Sequence, residues 1–277
     1  MDLSTIADNI ELRDGVWYAK TSASISYPED GNINCLQIEE NSFWFRHRNQ
    51  CILEIMQHYP PQGPLFDVGG GNGFVANAME KSGFPTVLVE PGEAGVINAQ
   101  QRKLKNLVCS TLEDAEFKEN SVPAIGVFDV VEHMEEDEAF LQKLFHYLQP
   151  DGRLYLSVPS HDWLWSFVDT DAGHHHRYTL SSLGKKLENV GFSVEFGTYF
   201  FTVLPLPIFL LRSIPSRLGM FKDHETVVKR KRKEHKEQGS GWLNNVWKWE
   251  QEQLKKGKKI GFGASCLMVA KKVAAKQ

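Results

Sequence analysis

The segment Leu65-Phe66-Asp67-Val68-Gly69-Gly70-Gly71-Asn72-Gly73 joins a short apolar run to an amphipathic one. Glycine, having no Cβ, lets the backbone turn tightly and approach a ligand closely. The next apolar run ends in Leu88-Val89-Glu90-Pro91, which places a carboxylate seventeen residues beyond Gly73. A carboxylate there accepts two hydrogen bonds from a ribose diol. The glycine spacing narrows the ligand further. A dinucleotide turn reads Gly-x-Gly-x-x-Gly, whereas this one reads Gly69-x-Gly71-x-Gly73, is preceded by Asp67, and is followed by no P-loop lysine. The chemistry implied is the binding of an adenosine-bearing cofactor with no pyrophosphate to cradle.

A second group of residues can move protons. Phe128-Asp129-Val130-Val131-Glu132-His133 closes another apolar run, and His161, His174, His175 and His176 follow the run after that. Imidazoles at such run ends are natural general bases, because their pKa lies near neutrality. Three consecutive histidines cannot all face one site. One is expected to be functional and two solvated.

Positioning these residues requires an alternation of strands and helices, and the chain has it from about Pro64 to Val194. Strands are predicted at Leu65–Val68, Thr86–Val89, Leu107–Cys109, Ala124–Phe128 and Arg153–Val158. Helices are predicted near Phe74–Lys81, Ala94–Lys103, Asp137–Leu148 and Ser181–Asn189, with a turn at Gln149-Pro150-Asp151-Gly152. Two later runs, Phe192–Phe200 and Ala264–Ala270, add strands. The expected fold is α/β: a Rossmann-like, doubly wound, seven-stranded sheet, mostly parallel, with an inserted helical or lid segment. Open sheets of this kind bind ligands at the C-terminal ends of their strands, where the glycine turn, Glu90, Asp129 and His133 all fall.

The expected organisation is a helical or cap segment over 1–60, a cofactor-binding domain over 61–200 and 261–277, and an insertion over 201–260. The insertion opens with apolar Tyr199–Pro215, too short and proline-rich to span a bilayer, and continues with the basic run Val227–Glu237. A helix is expected over Trp242–Lys256, with Trp242 and Trp249 packing on one face. The net charge of −4 over 277 residues hides a split. Residues 1–221 hold 16 basic against 29 acidic side chains, and residues 222–277 hold 15 against 6. The basic run lacks interleaved aromatics, which speaks against a nucleic-acid partner. Cys35, Cys51, Cys109 and Cys266 have neither disulfide nor zinc spacing, and the N-terminus has no apolar stretch of a targeting peptide, so a cytoplasmic protein with reduced thiols is expected.

Asp67-x-Gly-x-Gly-x-Gly73 with Glu90, Phe128–His133 and Leu148-Gln149-Pro150-Asp151-Gly152-Arg153-Leu154 together resemble the class I S-adenosylmethionine-dependent methyltransferases. The resemblance covers about residues 42–200 and the last strand. It is nearest to a bacterial-type subgroup with Trp-Phe-x-x-Arg-Asn, Val-Pro-x-His-x-x-Leu-Trp-Ser and Gly-His-x-Arg-Arg-Tyr segments. This chain has Trp44–Asn49, Val158–Ser166 and Gly173–Tyr178, with His176 in place of the first arginine of the pair. The resemblance implies an antiparallel last strand. It also implies that Gly69, Gly71 and Gly73 border the methionine part of S-adenosylmethionine, with Asp67 nearby, and that Glu90 holds its ribose. By the same transfer Thr111 and Leu112 meet the adenine, Phe128 and Asp129 lie beside the sulfonium, and Arg48 reaches the cofactor carboxylate.

The catalytic candidates are then His133, Asp129 and His174, with a histidine as general base for methyl transfer to a small-molecule or lipid-linked acceptor, through oxygen. No metal is assigned. Asp129-x-x-Glu132-His133 also matches a divalent-ion motif of ubiquinone-type and small-RNA 3′-end methyltransferases, which leaves a metal-dependent RNA enzyme as one alternative and a catalytically silent cofactor-binding module as another. The insertion is expected to act as a lid, with peripheral membrane contact through 199–236 as the rival.

Overall fold

Short apolar runs separated by amphipathic stretches produce one twisted sheet with helices on both faces. The computed structural model describes residues 2–21, 39, 42–220 and 241–273. The strands are β1 (Ile10–Arg13), β2 (Val16–Ala19), β3 (Leu65–Val68), β4 (Thr86–Val89), β5 (Leu107–Cys109), β6 (Val122–Phe128), β7 (Leu148–Pro159), β8 (Phe192–Phe200) and β9 (Ser265–Lys272). Their order is β1-β2-β5-β4-β3-β6-β7-β9-β8. Pairing is parallel from β2 to β7, and β9 runs antiparallel between β7 and β8. From β3 the chain winds to β4 on one side and returns through β6 on the other, so the strand order reverses between β3 and β6. That reversal opens the crevice in which a ligand sits.

The main helices are α1 (Phe43–His58), α2 (Phe74–Lys81), α3 (Glu93–Gln101), α4 (Asp137–Tyr147), α5 (Leu180–Val190) and α6 (Gly241–Lys255). Alternation along the central strands divides the core. Ile125, Val127, Leu154 and Leu156 pack with Leu141 and Leu144 of α4 and Leu183 and Leu187 of α5. Ala124 and Tyr155 face the other way, onto Cys51, Ile52 and Ile55 of α1 and Met79 of α2. The period-two pattern thus assigns each strand residue to one helical layer.

All seven expected strands form, and the sheet has two more. An N-terminal hairpin, β1–β2, joins the edge beside β5, so the segment 1–60, expected as a helical or cap segment, contributes two strands as well as α1. Its cause is Asp14-Gly15, a two-residue turn with φ of 49° and 81° that matches the twist of the flanking strands. The turn expected at Gln149–Gly152 lies inside β7 as a bulge, with Asp151 at φ 65° and the register jumping from Val122↔Leu148 to Ala124↔Arg153.

In the insertion, α6 packs against α1 through Trp247, Glu250 and Leu254, all buried. The expected packing of Trp242 and Trp249 is therefore overturned: they are 58% and 50% exposed. Seven residues apart they do share a face, but the opposite face carries the contacts. The basic run Val227–Glu237 and Cys35 lie outside the described residues. Among the described residues no helix is long and apolar enough to cross a membrane.

Candidate active site

Asp67, the penultimate residue of β3, is buried, and its Oδ2 accepts a hydrogen bond from the Ala76 backbone N–H (3.1 Å). It therefore anchors the first turn of α2 as well as lining the turn below it. Burial pushes its carboxyl up to about 7, against the pull of Arg48 and the Ala76 N–H, while Glu90 adds to the rise. The intervening turn holds Gly69, Gly71 and Gly73 at φ of 71°, 54° and 69°. A Cβ on Gly73 would come within 2.6 Å of Leu104 Cδ1 and 2.9 Å of Ala99 Cβ, so both conformation and space demand glycine there.

Glu90, at the end of β4, is 4% exposed. Its Oε2 accepts from Gly71 N (2.9 Å) and its Oε1 from Gly92 N (2.8 Å). Burial raises its pKa, and the two backbone N–H groups oppose the rise. Each carboxylate oxygen has a second lone pair, so the group keeps room for the two hydroxyls of a ribose. Beside it lies a mostly apolar cleft, lined among others by Gly69, Val89, Thr111, Leu112, Val130 and Phe140. Thr111 Oγ1 accepts from Asp114 N (3.0 Å), which leaves its methyl and Leu112 as cleft wall suited to a flat ring. A buried Ser110 hydroxyl in the same wall has no hydrogen-bond partner among the described residues.

Across the crevice, Phe128 is buried and Asp129 turns at φ 59°. Ser157 Oγ donates to Asp129 Oδ1 (2.9 Å), and Arg48 Nη1 donates to Asp129 Oδ2. Arg48, on α1, lies with its guanidinium 5.2 Å from the Phe45 ring centroid. Arg48, expected to reach a cofactor carboxylate, thus forms a direct ion pair within the chain. Next to it Glu132 is buried, and desolvation first and Asp129 second lift its pKa well above the carboxylate range.

His133 stands at the rim, its edge-to-face neighbour His174 at 4.8 Å between ring centroids. Desolvation, then His174, lowers the His133 pKa, while Asp129 and the Gly173 backbone pull the other way. His174 Nδ1 lies 3.1 Å from Asp169 Oδ1. His176 points elsewhere, its Nε2 3.2 Å from the Glu135 carbonyl. Of the consecutive histidines, the one brought to the site is His174. His161 stacks instead with Tyr199 and Trp163, at 5.1 and 5.7 Å between ring centroids.

A methyltransferase-domain family model matches residues 43–195, more than half of the chain. The chain belongs to the methyltransferase domain family. It carries the class I, S-adenosylmethionine-dependent architecture of that family. It is 24% identical over 171 residues to a probable S-adenosylmethionine-dependent methyltransferase of Mycolicibacterium smegmatis, covering 61% of this chain and 66% of the relative. It is 26% identical over 121 residues to the mitochondrial ubiquinone biosynthesis O-methyltransferase of Bos taurus, covering 39% of this chain and 33% of the relative. The chain thus spans from a third to just under two thirds of the length of these curated relatives. A solved phosphoethanolamine N-methyltransferase 2 of Haemonchus contortus in complex with S-adenosyl-L-methionine superposes with a TM-score of 0.52 at 17% identity, over 93% of this chain and 62% of that one, and bears on fold alone.

The methyltransferase site depends on residues that sequence reasoning did not single out. Asp169 is 1% exposed and accepts from Ser166 N (2.8 Å), Arg177 Nε (2.8 Å) and His174. Burial works against its ionisation, yet these donors hold its pKa down at about 2. Arg177, the second arginine position of the Gly173–Tyr178 segment, was the available signal: a buried guanidinium implies a buried carboxylate partner. The substituted position, His176, takes no part in this network.

Proposed function

We propose that this methyltransferase transfers a methyl group from S-adenosylmethionine to a small-molecule or lipid-linked acceptor, at an oxygen atom. The observation that carries the reading is the placing of an imidazole with a lowered pKa, His133, beside Asp129 on the rim of the crevice that Glu90 and the glycine turn prepare for an adenosine. S-adenosylmethionine, when bound, supplies a methyl group already activated on a sulfonium. Glu90 would accept hydrogen bonds from its ribose hydroxyls, Thr111 and Leu112 would flank its adenine, and Gly69, Gly71 and Gly73 would border its methionine part. What remains for the chain is to hold the acceptor in line and remove one proton. Alignment supplies roughly 7–11 kcal/mol of barrier lowering, and a general base a factor of about 10²–10⁴. His133 takes the acceptor proton; His174, fixed by Asp169, positions it. Arg48 neutralises Asp129, so that a neutral acceptor meets no bare carboxylate. The ubiquinone O-methyltransferase among the relatives supports oxygen as the acceptor atom.

Glu132, His133 and His174 bring donor atoms within 4.8 Å of one another, a grouping that could take a divalent ion. Asp129, the first residue of the Asp-x-x-Glu-His motif, is not among them: it is committed to Arg48, whose charge opposes a cation nearby. Turnover is therefore expected to be unchanged in EDTA, and loss of turnover that added Mg²⁺ or Mn²⁺ restores would favour the metal-dependent alternative.

A methyl-transfer screen across phenols, sugars, amines and RNA tests the acceptor class, and calorimetry with S-adenosylhomocysteine tests the shared premise. No binding at millimolar ligand would remove the reading altogether. The acid limb of the pH–rate profile should follow His133. A base with a lowered pKa is neutral, hence active, from a lower pH upward, so the half-maximal point is expected below the 6.5 of a free imidazole. His133→Ala should lower kcat by about 10²–10⁴ and abolish that limb; retention of the limb in the variant would exclude His133 as the base.

A further inference from the structure

Five large apolar side chains stand about half or more exposed within fifteen residues: Leu206 (65%), Leu210 (49%), Leu211 (55%), Leu218 (71%) and Met220 (67%). Apolar residues scattered singly over a surface are ordinary, but a run of this density marks a contact face. The segment that bears them is fastened from behind. Helical turns run from Pro205 to Arg217, with Pro205, Ile208 and Ser213 buried. Ser213 Oγ donates to the Leu164 carbonyl (2.8 Å), Phe167 N to Ser216 Oγ (2.8 Å), and Arg217 Nη2 to the Trp163 carbonyl (2.9 Å). Trp163 and Leu164 belong to the turn that leaves the C-terminal end of β7, the same sheet edge at which Glu90 and Asp129 lie. A fixed scaffold therefore presents the leucines outward, next to the edge that carries the crevice.

Charge names the partner. Residues 196–222 include no Asp or Glu and carry Arg212, Arg217 and Lys222. Residues 1–195 hold all 29 of the acidic side chains found before residue 222. We propose that this face docks on the surface of a lipid bilayer bearing anionic headgroups, the leucines entering the acyl boundary and the arginines lying at headgroup level. The acidic part of the chain, residues 1–195, is repelled by such a surface, so attraction and repulsion together select one orientation, with the crevice edge toward the lipid. The contact is peripheral, since no described helix is long and apolar enough to cross. The proposal goes beyond the methyl-transfer reading and stands without it, because vesicle binding is measured with neither cofactor nor acceptor present.

The test is co-sedimentation of the full chain with vesicles of phosphatidylcholine alone or mixed with phosphatidylglycerol. Binding is expected to the mixed vesicles and to weaken as salt is raised. The double variant Leu210→Asp, Leu211→Asp should bind at least about tenfold more weakly, since inserting one leucine is worth about that factor. Its thermal midpoint should stay within about 2 °C of the parent, because the exchanged side chains face outward. Absence of salt-sensitive binding by the folded parent overturns the proposal. So does unchanged binding by the variant; a lowered midpoint alongside it would assign the face to another part of this chain. A solution dimer that the variant splits would give the face to a second copy, and this too overturns a lipid partner.

Discussion

Glu250→Ala is expected to lower stability by about 3–5 kcal/mol, the cost of leaving buried partners unpaired. For a chain of this size that corresponds to a fall of about 10 °C in thermal midpoint. Glu250 is fully buried, and all four of its lone-pair positions are used. His47 Nε2 (2.7 Å) and Phe201 N (3.0 Å) meet its Oε2, while Thr202 N (2.6 Å) and Thr202 Oγ1 (2.5 Å) meet its Oε1. Gln251 Nε2 lies 3.3 Å from His47 Nδ1, which leaves the Nε2 proton directed at Glu250. One carboxylate thus ties α1, the residues after β8 and α6 together, with Trp44 stacked on Phe201 at 4.0 Å beside it. The variant should also lose activity, because α1 carries Arg48 to Asp129.

The same carboxylate makes stability depend on pH. Burial works against its ionisation, but the His47 hydrogen bond and the Thr202 donors prevail, so the folded pKa lies below 4.5. Its contribution is complete above the unfolded value and disappears as pH falls through the folded one. The parent should therefore lose more stability than Glu250→Gln between pH 5 and lower values, as read from urea midpoints. A midpoint shift below about 2 °C for Glu250→Ala would refute the role of this knot.

Glu90→Ala is expected to weaken S-adenosylhomocysteine binding by about a hundredfold or more. Two hydrogen bonds from ribose hydroxyls to a charged acceptor are each worth about 1.5–3 kcal/mol, and the substitution also frees the Gly71 and Gly92 N–H groups that shape the turn. Glu90→Gln, which keeps one acceptor oxygen, should fall between. Calorimetry reads both, and circular dichroism separates lost binding from lost fold. Affinity of the alanine variant within about threefold of the parent would mean that the ligand lies elsewhere.

The cofactor half of the site was legible because its determinants are local. A glycine turn, the strand before it and the carboxylate ending the next strand are read from neighbours in sequence, and β3, β4, β5 and β8 form with the expected bounds. The Asp14-Gly15 hairpin was equally local, and went unread because β1 is no apolar run: of Ile10–Arg13 only Ile10 is buried. The acceptor half was not legible. Asp129 shows as an acidic residue after an apolar run, but nothing nearby says that Arg48, 81 positions earlier, neutralises it.

By itself, the sequence determined the strands, the winding of the sheet and the turn that meets an adenosine, since backbone propensity, period-two burial and glycine conformation act over a few residues. Only the tertiary structure decided which histidine joins His133, which face of α6 is buried, and which carboxylates hold Arg48, Arg177 and His47. These outcomes rest on burying charge. A desolvated carboxylate or guanidinium requires a partner, and the folded chain supplies one from as far as 203 positions away, as in His47 and Glu250.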